Sequence, residues 1–190
     1  MEIDTRTQGM LDLLYPDFKV RVIRVFADMF KVHALKMKST EGMRSFATQT
    51  SLYAIGRTVK GSGVTSIKTM GRTVTKAKAG LSNHSYGVGI DNCFTGKDPY
   101  LSGDERSEYY WEQYAKFAEG HGLTAGLRFK SVDGPHIELM YGGLTVHDLL
   151  ALYKIKGLES VWAKFDLIRG VPIGQEWSRM KLFDPGKVTA

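Results

Sequence analysis

A single cysteine, Cys93, excludes an internal disulfide and any metal site built on several thiolates. No apolar run approaches the ~20 residues that a membrane-crossing helix needs. The opening stretch carries acids early, at Glu2 and Asp4, and lacks the apolar centre of a secretory signal, so the chain reads as one made and first held in a cytoplasm. Acids are also missing from the whole stretch between Gly42 and Ile90, which nevertheless holds seven lysines and arginines. With thiolates excluded, a metal in this chain has to be held by histidine and carboxylate.

What is present fits one ordinary domain. The 190 residues are long enough for a real hydrophobic core, and no linker divides them, so 1–190 reads as one unit. The net charge of +6 draws the chain toward polyanions such as nucleic acid, anionic lipid or cell-envelope polymers. Because the basic residues are spread rather than blocked, a solvated basic surface is the better explanation of them, and charge alone selects no partner.

Periodicity supplies the outline. Pro16-Asp17 opens a helical pattern through about Met37, with Phe18, Val22, Val25, Phe26, Met29 and Phe30 at spacings of three and four. A shorter helix is expected from Ser45 to Ile55, then a long Gly/Thr/Ser/Lys-rich loop over 56–83. That loop carries an echo, Gly56-Arg57-Thr58-Val59 and Gly71-Arg72-Thr73-Val74, too short for a repeat architecture. Strands are expected over Tyr86–Phe94 and His136–Tyr141, with helices over Asp104–Glu119, from a Thr145/Asp148 capping box to Tyr153, and over Gly157–Ile168. The pattern predicts an α+β fold with a small antiparallel sheet flanked by helices.

Two of the five histidines stand in unusual company. One cluster is Ser82-Asn83-His84-Ser85-Tyr86-Gly87-Val88-Gly89-Ile90-Asp91; the other is Asp133-Gly134-Pro135-His136-Ile137-Glu138. A hydrolytic zinc site needs three N or O ligands and an open position, and pairing of two strands would bring His84, Asp91 and His136 together. Asp133 is then placed to serve as base for the attacking water, and Arg44 to face a developing oxyanion. A lone His/Asp pair is more often structural than metal-binding; two clusters beside Gly or Pro and a strand leave both readings standing. His33, His121 and His147 read as structural or solvated.

The spacing Ser-x-His-x-x-Gly-x-x-x-Asp, followed by Asp-x-Pro-His, resembles the zinc peptidases that include phage L-alanyl-D-glutamate endopeptidases and, more distantly, D-alanyl-D-alanine carboxypeptidases and vancomycin-resistance dipeptidases. Glu41-Gly42-Met43-Arg44-Ser45 and the stretch from Gln49 to Thr58 resemble flanking segments of that family, so the likeness covers roughly residues 5–145, with 146–190 a helical extension. The resemblance implies zinc on His84, Asp91 and His136, general-base work by Asp133, a substrate or transition-state role for Arg44, a substrate-side role for Ser82, and support rather than catalysis from Glu138. Departures are Leu123-Thr124-Ala125-Gly126-Leu127-Arg128-Phe129, where phage-type members carry tryptophans, and Ser85, where asparagine is common. They touch substrate preference more than hydrolysis.

The expected activity is therefore cleavage of the peptidoglycan stem at L-alanyl-D-glutamate by a phage lysis enzyme (endolysin), held in the host cytoplasm and reaching the wall after the membrane is breached. The partner expected is peptidoglycan, with no nucleic acid, no membrane insertion and a monomeric state. Alternatives are removal of a terminal D-alanine and, from another class, an inert basic module binding cell wall or polyanion. The acid-bearing loop Asp98–Glu105 is a possible Ca2+ site, though it lacks EF-hand spacing.

Overall fold

The apolar stripe after Pro16 forms a helix against which the rest of the core is laid. The computed structural model describes residues 2–57, 73–180 and 182–186. Helix α1 (Thr5–Leu11) leads into α2 (Pro16–His33), where Pro16 sits in the first turn and its missing N–H costs nothing. Phe18, Val22, Val25, Phe26 and Met29 are fully buried. The helix stops at His33 rather than near Met37, because Ala34 turns left-handed (φ 56°) and closes the end with its amide on the Phe30 carbonyl.

The next segment is a strand that periodicity did not reveal, β1 (Met37–Glu41). Only Met37 and Ser39 are buried there, too few for alternation to register. The remaining strands are β2 (Gly89–Phe94), β3 (Thr124–Ala125) and β4 (His136–Glu138). All pairings are antiparallel, in the order β1-β2-β4-β3. The expected α+β class with a small antiparallel sheet is what forms, although β2 and β4 are shorter than expected and two-residue β3 was not foreseen. Ile90 lies opposite Ile137, and both side chains enter the core.

Helix α3 (Phe46–Ala54) starts at Ser45, whose hydroxyl accepts from the Thr48 amide (3.0 Å). Helix α4 (Ser107–Gly120) buries Tyr110, Tyr114, Ala115 and Ala118. The Thr145/Asp148 capping box forms and opens α5 (Val146–Lys156). Residues 58–72, and with them most of the expected loop and half of the Gly-Arg-Thr-Val echo, lie outside the described residues. No helix among the described residues is long and apolar enough to cross a membrane.

The C-terminal helices are tied into the core. Trp162 of α6 (Leu158–Arg169) donates its indole N–H to the carbonyl of Tyr86 (2.9 Å). Asp166, almost fully buried, accepts from the Tyr15 hydroxyl (2.6 Å), the Trp177 indole (2.7 Å) and the Gly174 amide (2.8 Å). One carboxylate thus fastens the segment after α6 to the residue that opens α2. Asp166→Ala strands these buried donors and should destabilise the fold by about 2–4 kcal/mol in urea denaturation, with Asp166→Asn losing less.

Candidate metal centre

His84 lies in a short 3-10 turn, Asn83–Tyr86, that delivers the chain into β2. Gly87 ends the turn in the left-handed region (φ 69°), where a Cβ would press on the Trp162 ring (3.1 Å) and the Leu13 carbonyl (3.3 Å). A Cβ on Gly89 would meet the His84 amide nitrogen at 3.0 Å. The close approach that these glycines permit is of backbone and indole.

Pairing in β1/β2 shifts register between Ser39 and Glu41, so the chain leaves the sheet just before Gly42. The Gly42 carbonyl then meets His84 Nδ1 at 2.8 Å, which places the proton on Nδ1 and leaves Nε2 with a lone pair. Nε2 faces Asp91 Oδ1 at 3.3 Å. On the other side, Asp91 is the direct cross-strand partner of His136, whose Nδ1 lies 2.8 Å from the same oxygen. Donor atoms from His84, Asp91 and His136 all fall within 4.8 Å of one another, and among the described residues no other His/Cys/Asp/Glu group does this. Zinc takes such donors at about 2.0–2.2 Å, so tetrahedral neighbours sit roughly 3.3–3.5 Å apart. Two imidazoles and a carboxylate at these separations fit that ion.

Behind the donors lies a polar layer. His136 Nε2 meets Glu138 Oε2 at 3.0 Å, and the same oxygen accepts from Asn83 Nδ2 at 2.7 Å. Burial disfavours the Asp91 carboxylate, but the hydrogen bond from His136 and the closeness of His84 outweigh it and hold Asp91 well below the usual carboxylate range. Burial likewise works to lower His136, yet its bonds to Asp91 and Glu138 prevail and push it up to about 9. Glu138 is lowered: desolvation opposes the shift, and the bonds from His136 and Asn83 override it. Supporting carboxylates of this kind orient a ligating imidazole and raise its basicity.

Asp133 stands at the exposed edge of the site. Desolvation and then the charge of Asp91 raise its pKa, against the pull of His136, His84 and Arg44. Its carbonyl accepts from the His136 amide (3.1 Å) and its amide donates to the Gly126 carbonyl (3.0 Å). A Cβ on Gly126 would fall 2.4 Å from the Asp133 carbonyl oxygen and 2.9 Å from His136 Cβ, so only glycine fits there. Arg44 is nearly buried: Nε bonds Glu41 (3.2 Å), Nη1 bonds Gln49 (2.9 Å), and Nη2 lies 4.0 Å from Asp91 Oδ2. Ser82 occupies the N-cap of the 3-10 turn without a side-chain capping bond.

Elsewhere, His121 meets Asp28 at 2.7 Å, His33 packs among Tyr109, Tyr110 and Phe117, and His147 is exposed. In the Asp98–Glu105 loop, Asp98 accepts from the Gly103 amide (2.9 Å) and Asp104 from the Arg106 amide (2.8 Å), so both carboxylates brace their own turn. Sequence reasoning assigned no role to Gly42, Asn83, Gln49 or Gly126, although Gly42 and Gln49 stood in the family-like flanking segments and Asn83 beside His84.

Residues 75–139, a span holding all three donors and Asp133, match the family model described as D-alanyl-D-alanine carboxypeptidase. The peptidoglycan L-alanyl-D-glutamate endopeptidase CwlK of Bacillus subtilis (strain 168) is 31% identical over 145 residues, 70% of this chain and 80% of that protein. Among solved structures, the L-Ala D-Glu endopeptidase ChiX of Serratia marcescens aligns at 19% identity and TM-score 0.45, covering 74% of this chain and 90% of its own. The LD-carboxypeptidase LdcB aligns at 16% identity and TM-score 0.41, covering 93% and 80%.

A metal that takes Nδ1 of His136 must displace the proton shared with Asp91. Below about pH 9 that proton is present. Zinc uptake at pH 7 should therefore release a proton, and apparent affinity should climb about tenfold per pH unit between pH 6 and 8. Calorimetry in buffers of different ionisation enthalpy measures both. Metal analysis of His84→Ala and His136→Ala should show zinc lost from each; full occupancy in both would place the metal elsewhere.

Proposed function

The chain belongs to peptidase family M15, and from that premise we propose that it is a zinc-dependent peptidoglycan endopeptidase cutting the L-alanyl-D-glutamate bond of the stem peptide. The observation that carries the reading is the convergence of His84, Asp91 and His136 beside an uncommitted Asp133. The identity to CwlK across most of that protein's length supports the choice of bond.

Zinc held by His84, Asp91 and His136 would supply a Lewis acid for the scissile carbonyl and make the attacking water more acidic. The chain's own groups do the rest. The Asp133 carboxylate makes no hydrogen bond among the described residues and has a raised pKa, which suits it to take a proton from water and pass it to the leaving amine. Glu138 is spent on His136 and Asn83, which leaves it the supporting role. Arg44, gripped by Glu41 and Gln49, contributes fixed positive charge toward the developing oxyanion rather than a swinging clamp. Ser82, at the start of the turn, makes no capping bond with its hydroxyl, which leaves it for the substrate-side role.

The biological role included in this reading is that of a phage lysis enzyme reaching the wall from inside after the membrane is breached. The net charge of +6 suits an anionic envelope.

Mass spectrometry of digested peptidoglycan tests the bond. Stem peptides with a free D-glutamyl amine are expected; release of D-alanine alone would transfer the chain to the carboxypeptidase reading, and no product would favour an inert binding module. Asp133→Asn should keep its zinc and its circular dichroism while turnover on purified peptidoglycan falls by about 10²–10⁴. Near-normal turnover with zinc bound would move the base elsewhere.

A further inference from the structure

A cleft of about 650 Å3 opens over Asp133, walled on one side by residues 73–77 and on the other by Phe129, Ser131 and Val132. It adjoins the metal centre directly, since the Phe129 ring lies against that of His136 (centroids 5.7 Å apart). Val74 and Val132 stand 57% and 67% exposed and give the cleft apolar lips. Among the described residues that line it, Lys76 is the single cation.

Lys76 is exposed and makes no hydrogen bond or ion pair among the described residues. Three other cations of the described residues are committed elsewhere. Arg44 is held by Glu41 and Gln49, while Arg57 (4.2 Å) and Lys78 (6.0 Å) sit over the Tyr53 ring. An anionic group entering the cleft meets the charge of Asp133 on one wall and finds a free ammonium on the other.

We infer that Lys76 is a specificity-determining residue that pairs with the free α-carboxylate of the D-glutamyl residue on the leaving side of the scissile bond. This assignment rests on the endopeptidase reading above. In the stem peptide D-glutamate continues through its γ-carboxyl, so its α-carboxylate stays beside the bond being cut, and in some walls it is amidated instead. Bringing that carboxylate next to Asp133 costs like-charge repulsion, which Lys76 across the cleft offsets. An ammonium on a flexible stem suits a single carboxylate arriving in an open cleft, whereas a guanidinium fork would demand bidentate alignment.

The test uses two muropeptides that differ only in a D-glutamate α-carboxylate or its α-amide. The wild-type protein is expected to prefer the acid, and Lys76→Gln to lower kcat/KM on the acid by roughly 10- to 100-fold, drawing the acid-to-amide ratio toward one. Lys76→Arg should restore part of that ratio. Calorimetry with a D-glutamyl product peptide should show Lys76→Gln binding more weakly by a similar factor. An unchanged acid-to-amide ratio in Lys76→Gln, with wild-type cleavage intact, would overturn the assignment alone and leave Lys76 a solvated surface lysine. Failure of the wild-type protein to cut either muropeptide before D-glutamate would overturn the endopeptidase reading and this assignment with it.

Discussion

Everything at the site depends on one cross-strand register: Asp91 directly opposite His136. Antiparallel partners project to the same face, so this pairing puts a carboxylate and an imidazole side by side while Ile90 and Ile137 go to the other face. A slip of one residue would drive Asp91 into the core and an isoleucine into the site. The cost of burying a bare carboxylate there is far larger than any local preference of so short a strand. The three residues of β4 are therefore held less by their own hydrogen bonds than by the mismatch any other register would create.

The third donor reaches this pair by a different route. His84 is delivered by a tight turn rather than a strand, and its orientation is set by the carbonyl that the β1 irregularity aims at Nδ1. The turn is braced from behind, where Trp162 donates to Tyr86. The C-terminal helices, anchored through Asp166 to Tyr15, thus act on the metal centre at a distance through packing. A candidate metal site assembled from three separate segments needs such bracing, because donor separations of about 3.3 Å tolerate little displacement.

Charge is arranged with equal economy. Two acids, Asp91 and Glu138, grip His136 at its two nitrogens, and Arg44 stands within 4.0 Å of Asp91. Against this satisfied cluster, Asp133 is the exception, a carboxylate near the same charges without a hydrogen-bonding partner among the described residues. Environment alone separates three acids within one site, two held by histidine and one left without a hydrogen bond among the described residues.

The sequence alone marked out the candidate site. His84, Asp91, Asp133 and His136 were recognisable because catalytic residue types beside glycine or proline are a local signal, and the long stripe of α2 and the Thr145/Asp148 capping box were legible for the same reason. Tertiary structure alone decided what depends on partners distant in the chain. Strand β1 was hidden because its burial comes from α1 and β2 rather than from its own alternation. The tautomer of His84 awaited a carbonyl 42 positions away, and the grip on Glu138 awaited Asn83, 55 positions away. The need for glycine at 126 arises only when the loop carrying Asp133 folds back upon it. Residue type and local spacing are written along the chain, whereas contact, register and charge environment exist only once remote segments meet.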